Sequence, residues 1–220
     1  AAAAAESAEV VVVCVFSDDQ VRQVCLDGEL PKAMSDNTIL MLHTTGDPRT
    51  ARSVADAAPH IRVADAPVSG GPHDIAAGTL TVFLGADDTT AADLRGALSA
   101  YANPILHVGA VGAGQRVKLV NNALFAAQAG LVAAAVDLAA QLEVTESALL
   151  SALPHASSAS RVLTSIAAKN SVTEFGATVG EFLAKDVAVV RTMVAELGGS
   201  LGVLDHAIDA APLPRPSSPE

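Results

Sequence analysis

In the first half of the chain, short continuous apolar runs alternate with segments whose apolar residues recur every three or four positions; the second half keeps only the longer period. The run from Val10 to Phe16 is rich in β-branched residues and predicts a central parallel strand. Shorter runs at 38–42, 61–64, 80–84 and 105–108 predict four more strands. Ser17 heads a helix to about Cys25, and further helices are expected at 49–58 and 89–100. This alternation builds βαβ units, hence a mostly parallel sheet whose ligand loops follow the carboxyl ends of the strands. Those loops are Ser17–Asp18, His43–Thr45 and the long stretch Asp65–Gly71.

From Gln115 onward, Val117, Val120, Leu124, Ala127, Leu131, Ala135, Leu138 and Leu142 form one helical stripe sustained to about Gln141. So long a helix is expected to span a domain and to pack through small Ala and Gly side chains on neighbouring helices. More helices are expected from Thr145 or Glu146 to just before Pro154, over 157–170, over 179–197 with Gly198-Gly199 closing it, and over 200–210. The proline-rich stretch 212–220 is expected to be a disordered tail. The chain therefore divides into an α/β domain at 1–111, an all-α domain at 112–211 joined through the long helix, and the tail at 212–220.

Composition narrows the function classes. Half the residues are hydrophobic but only 3% are aromatic, so the cores must be built from Ala, Val and Leu at short backbone distances. A formal charge of -11 supplies no positive field for a nucleic-acid backbone. Polar residues at helical intervals within the apolar patterns argue against a membrane span, and the Ala-rich start has neither the basic segment nor the cleavage pattern of a signal peptide. It reads as the interior of something longer. Cys14 and Cys25 suit a reducing, cytoplasmic setting, and six scattered histidines give no metal constellation.

Two stretches carry candidate chemistry. Lys118 and Asn122 are four apart and share a helix face, where a cation and an amide can address one small ligand. Ser69-Gly-Gly-Pro72 offers a hydroxyl and backbone N–H groups unshielded by side chains, suited to a carboxylate or phosphate. Gly112-Ala-Gly114 precedes a helix, but a dinucleotide fingerprint needs a further small residue and a second strand; Val117 and an uninterrupted helix follow instead, so it reads as a turn.

Taken in order, Asp65-Ala-Pro-Val-Ser-Gly-Gly71, Ala77-Gly-Thr-Leu-Thr81, Gly112-Ala-Gly-Gln-Arg-Val-Lys-Leu-Val-Asn-Asn122 and Leu183-Ala-Lys-Asp186 closely resemble the β-hydroxyacid dehydrogenases, the family of 3-hydroxyisobutyrate dehydrogenase and tartronate semialdehyde reductase. The resemblance implies a Rossmann domain joined by a long helix to a helical domain that makes the dimer contact. It also implies NAD or NADP as cofactor, a small 3-hydroxy acid as substrate, and a homodimer or higher homo-oligomer. Lys118 matches the catalytic lysine, Asn122 the amide that orients the substrate, and Ser69, Gly70 and Gly71 the loop for its carboxylate. Thr44 or Thr45 matches the hydroxyl beside the nicotinamide ribose, with Lys185 and Asp186 near the cofactor. Such a lysine takes the hydroxyl proton as hydride leaves and returns it in reduction, provided its surroundings lower its pKa toward neutrality.

The chain departs from the family pattern in three places. The family's Gly-x-Gly-x-x-Gly unit would stand before Val10, and these 220 residues hold none, so a partial Rossmann sheet with an open apolar edge is expected. Leu42 replaces the usual Asp before the threonine pair, and His73 and Asp74 stand where small or basic residues are usual. The alternative to an NAD(P)-dependent 3-hydroxyacid dehydrogenase is an inactive homologue acting as a dimerising scaffold or small-acid binding module.

Overall fold

The computed structural model describes residues 2–213; from residue 214 on, the expected tail lies outside the described residues. The chain forms two compact units, Ala1–Lys118 and Leu119 onward.

Unit 1 is a sheet flanked by helices. Its strands are β1 (Val10–Val13), β2 (Ile39–Leu42), β3 (Arg62–Asp65), β4 (Val68–Ser69), β5 (Leu80–Gly85) and β6 (Ala102–Gly109). Its helices are α1 (Ala2–Ala5), α2 (Asp18–Cys25), α3 (Pro48–Ala57), α4 (Pro72–Ala76) and α5 (Asp88–Leu98), followed by the start of α6 (Ala113–Gln141). β1, β2 and β3 pair in parallel, with Val10 opposite Ile39 and Ile39 opposite Arg62. β5 runs antiparallel to β3 and β4 and parallel to β6. Alternation along β2 sorts the two cores. Leu40 and Leu42 meet Val21, Cys25 and Val54 on one side, while Ile39 and Met41 meet Leu84, Leu94 and Leu98 on the other.

β1 ends at Val13 and pairs only with β2 among the described residues, so it forms the open apolar edge expected of this partial sheet, with Val12 48% exposed. A continuous apolar run reports a strand's own character, and its place in the sheet depends on pairings that no local pattern contains.

Unit 2 continues α6 and adds α7 (Glu146–Ala152), α8 (Arg161–Ala167), α9 (Val172–Glu196) and α10 (Val203–Asp209). Thr145, Ser160 and Ser171 cap α7, α8 and α9 with their hydroxyls. As expected, α6 packs through small side chains: its buried face carries Leu119, Ala123, Ala126, Ala127 and Ala129, while Val120, Leu124, Leu131 and Leu138 of the apolar stripe, and Leu142 just past the helix, are exposed. The cause is backbone proximity. A side chain on Gly130 would collide with the Ala207 carbonyl, so only small residues fit on the side facing α10. Contrary to expectation, α6 is long and apolar enough to cross a membrane by length and composition; its central part carries few charges. Unit 2 nevertheless buries the alanine face of that helix.

Candidate active site

The loops after β1, β2 and β3 gather on one edge of unit 1, and a single buried acid ties the third of them to α6. Asp65, at the end of β3, is fully buried and accepts from the Gly112 N–H at 2.5 Å and the Gln115 N–H at 2.7 Å. It thereby caps α6 from 47 residues away, satisfying donors that a helix start leaves open. Burial pushes its pKa up to about 6, against the pull of those two N–H groups and of Arg116. Gly85 and Gly114 leave room for it, because a side chain on either would collide with the carboxylate. Two of the motifs singled out in the sequence are thus halves of one lock.

Gln115 extends the lock to the loop after β2. Its amide donates to the Thr44 carbonyl at 2.7 Å, and its oxygen accepts from the Gly46 N–H at 3.0 Å. The Thr44 hydroxyl accepts from the Val15 N–H at 2.8 Å and donates to the Val15 carbonyl at 3.1 Å, so this buried threonine clamps the loops after β1 and β2 together. Thr45 is the more exposed of the pair. His43 holds the same edge from below: Nδ1 donates to the Ala66 carbonyl at 2.5 Å, which leaves Nε2 to accept from the Tyr101 hydroxyl at 2.7 Å. Burial lowers the His43 pKa, which keeps the ring neutral at pH 7.

At the Ser69–Gly71 loop, Gly70 has φ +131°, a conformation for glycine, and its missing side chain makes room for Leu80 and Asp74. The Gly71 N–H donates to Asp74 Oδ2 at 2.8 Å. One donor expected to face a ligand carboxylate is therefore given to an acid of this chain. Ser69, half-buried at the end of β4, and Gly70 stay as the loop's other expected contacts.

Lys118 is half-buried on the second turn of α6 and is the last residue of unit 1. Asn122 lies one turn further along the same helix, in unit 2, where it is 7% exposed. There its Nδ2 donates to Asp186 Oδ2 at 2.5 Å, and its Oδ1 accepts from Asn121 Nδ2 at 3.0 Å. Asp186, on α9, is 6% exposed and takes Lys185 Nζ on its other oxygen at 2.6 Å. Unit 2 thus joins Asn122, Lys185 and Asp186 in one cluster, and both oxygens of the acid expected beside a cofactor are occupied within it.

A pyrophosphate needs open N–H groups at a helix start. At the sheet edge one such N–H of α2, one of α3 and two at the start of α6 are already engaged. Ser17 caps α2 with Asp18 and Asp19 in its first turn, Asp47 caps α3, and Asp65 caps α6. The carboxylates there repel phosphate, so these termini do not fit that half of a dinucleotide. Asp65 and Gln115 lay within the motifs quoted from the sequence but had no role there; His43 and Tyr101 are 58 residues apart, and no local signal joins them.

Comparison with known proteins adds the following. The sequence model of the NAD binding domain of 6-phosphogluconate dehydrogenase matches residues 1–109. An uncharacterized oxidoreductase of Shewanella frigidimarina is 39% identical over 122 residues, 54% of this chain and 42% of that protein. An uncharacterized oxidoreductase of Synechocystis sp. is 30% identical over 206 residues, 92% of this chain and 71% of that protein. The solved structure of Mycobacterium tuberculosis 3-hydroxyisobutyrate dehydrogenase with L-serine superposes with a TM-score of 0.81 at 27% identity, covering 94% of this chain and 74% of that one. Against several curated relatives the chain spans only about two-fifths of their length, 41–42%.

Proposed function

The chain belongs to the family of NAD(P)-binding, 3-hydroxyacid dehydrogenase-like oxidoreductases, and from that premise we propose that it serves hydride transfer between a nicotinamide and a small 3-hydroxy acid. The observation that carries this reading is the Asp65 lock. It fixes the start of α6, the helix bearing Lys118, to the strand that leads into Ser69–Gly71, all within unit 1. A proton-transfer group and an anion-binding loop held on one rigid frame are what such a reaction asks of a protein.

The nicotinamide, when bound, accepts or supplies the hydride. Lys118 Nζ takes the hydroxyl proton in oxidation and returns it in reduction, where its charge also stabilises the developing alkoxide. Ser69 and Gly70 meet the substrate carboxylate, the Asn122 amide orients the hydroxyl, and Thr45 and Lys185 serve the cofactor. Replacing Lys118 with Ala is expected to lower turnover of 3-hydroxyisobutyrate, L-serine, glycerate or threonate with NAD or NADP by about 10²–10⁴ while the chain stays folded. Turnover near that of the wild type would remove Lys118 from the role.

A second reading, a dimerising module that binds a small acid without turnover, is favoured by the acids at the N-termini of α2, α3 and α6 and by the exposed leucines of α6. Its signature is binding of a hydroxy acid with no cofactor oxidation or reduction. Both readings include self-association through the α6 face.

A further inference from the structure

We propose, resting on the reading above, that Asp186 is a positioning residue that sets two side chains at once: the Asn122 amide that orients the hydroxy acid and the Lys185 ammonium that serves the cofactor. A carboxylate only accepts hydrogen bonds, and Asp186 divides its two oxygens between the two donors, Asn122 Nδ2 at 2.5 Å and Lys185 Nζ at 2.6 Å. The consequence for Asn122 is a fixed orientation. An Asn amide can turn over and exchange its oxygen for its nitrogen, but here the nitrogen faces a carboxylate and the oxygen accepts from Asn121. Turning the group over would set oxygen against oxygen and NH₂ against NH₂. What Asn122 then presents to a ligand is its second amide N–H and the remaining lone pair of Oδ1.

The Lys185 contact carries separate information. Consecutive residues on a helix point about 100° apart, so neighbours do not normally meet. Lys185 nevertheless curls back to the adjacent buried acid, which withdraws its four-carbon stem from free rotation. Asp186 is thus the shared anchor of a residue assigned to the substrate and one assigned to the cofactor. Both contacts lie within unit 2.

Asp186→Asn keeps the shape but leaves a single acceptor oxygen, which the Lys185 ammonium claims as the stronger, charged donor, so the new NH₂ faces the Asn122 NH₂ and that contact is lost. In the ¹⁵N-labelled 220-residue chain, the Asn122 side-chain amide pair is identified by its disappearance in Asn122→Ala. In Asp186→Asn that pair is expected to move toward the positions of exposed Asn amides and to exchange faster with water; an unmoved, protected pair overturns the proposal. If Asp186→Asn unfolds, Asp186→Glu, which keeps the charge and displaces the oxygens, is judged by the same signal. With 3-hydroxyisobutyrate as the probe, Asp186→Asn is expected to raise KM about 10–100-fold, the loss of one hydrogen bond to a charged group. In the Asn122→Ala background the same change is expected to do little, because the partner through which it acts is gone. Equal effects in both backgrounds mean a merely structural role and overturn the proposal. A wild-type chain that turns over no hydroxy acid refutes the reaction instead, and the amide signal then decides the positioning alone.

Discussion

Two single acids are central at the residue scale. Asp65 is buried with its pKa raised to about 6 from 3.8, so folding favours its protonated form. Its contribution is fully present below about pH 4 and is lost as pH rises through about 6. A non-titrating Asp65→Asn chain lacks that dependence. The stability of the wild type relative to the variant is therefore expected to fall between pH 4 and pH 6, by up to about 3 kcal/mol, and to level off above that. Parallel urea titrations across this range check it; a constant difference would mean that the carboxyl does not titrate there. On the reading proposed above, Asp74 opposes binding. Its carboxylate holds the Gly71 N–H and lies against Gly70, within the loop proposed for the substrate carboxylate. Asp74→Ser is expected to lower KM for a carboxylate substrate several-fold, at a cost of about 1 kcal/mol for the lost cap. Steady-state kinetics and a thermal melt on the same preparation separate the two effects, and an unchanged KM would clear Asp74 of any part in specificity.

Glycine contacts on the helices give opposite expectations at the element scale. A side chain on Gly130 of α6 would meet the Ala207 carbonyl and the Ala211 backbone, whereas one on Gly96 of α5 would meet nothing within 4 Å. Gly130→Ala is expected to destabilise by roughly 1–3 kcal/mol through overpacking, and Gly96→Ala to stabilise by about 0.5–1 kcal/mol through lower unfolded-state entropy. Melting temperatures that moved in the same direction would contradict this packing. The contrast also explains what the sequence could reveal. Helices and strands with strong local periods, such as α3, α5 and β2, were legible, as was the placement of Lys118 and Asn122 one turn apart on a single helix. Which face of α6 is buried was not, because the larger leucines outweigh the alanines in any hydrophobic pattern, while the deciding fact is the α10 backbone opposite Gly130. The Asp65–Gln115 lock was hidden for a similar reason: its partners are about fifty residues apart in sequence, and motif order says nothing of which motif holds which.

The exposed side of α6 bears on the assembly of the whole molecule. Leu124, Leu131 and Leu138 recur every seven residues and are 47%, 60% and 56% exposed; Val120 and Leu142 extend the same apolar surface. Beyond Lys118, Asp137 is the single charged residue of the helix, so this face has little to keep it in water. Continuous apolar patches of this extent are uncommon on monomers and mark contacts. A seven-residue leucine repeat suits pairing with another helix of the same kind, since 3.5-residue spacing keeps the seam facing its partner. A second copy of this chain satisfies that geometry without any further component. Light scattering coupled to gel filtration is therefore expected to give at least twice the chain mass for the wild type. The double change Leu131→Glu and Leu138→Glu is expected to give a single chain that is still folded, because both positions are exposed and lie outside the buried alanine face. A wild type that runs as a single chain at every concentration measured would refute self-association through α6, and the leucine face would then require a different partner.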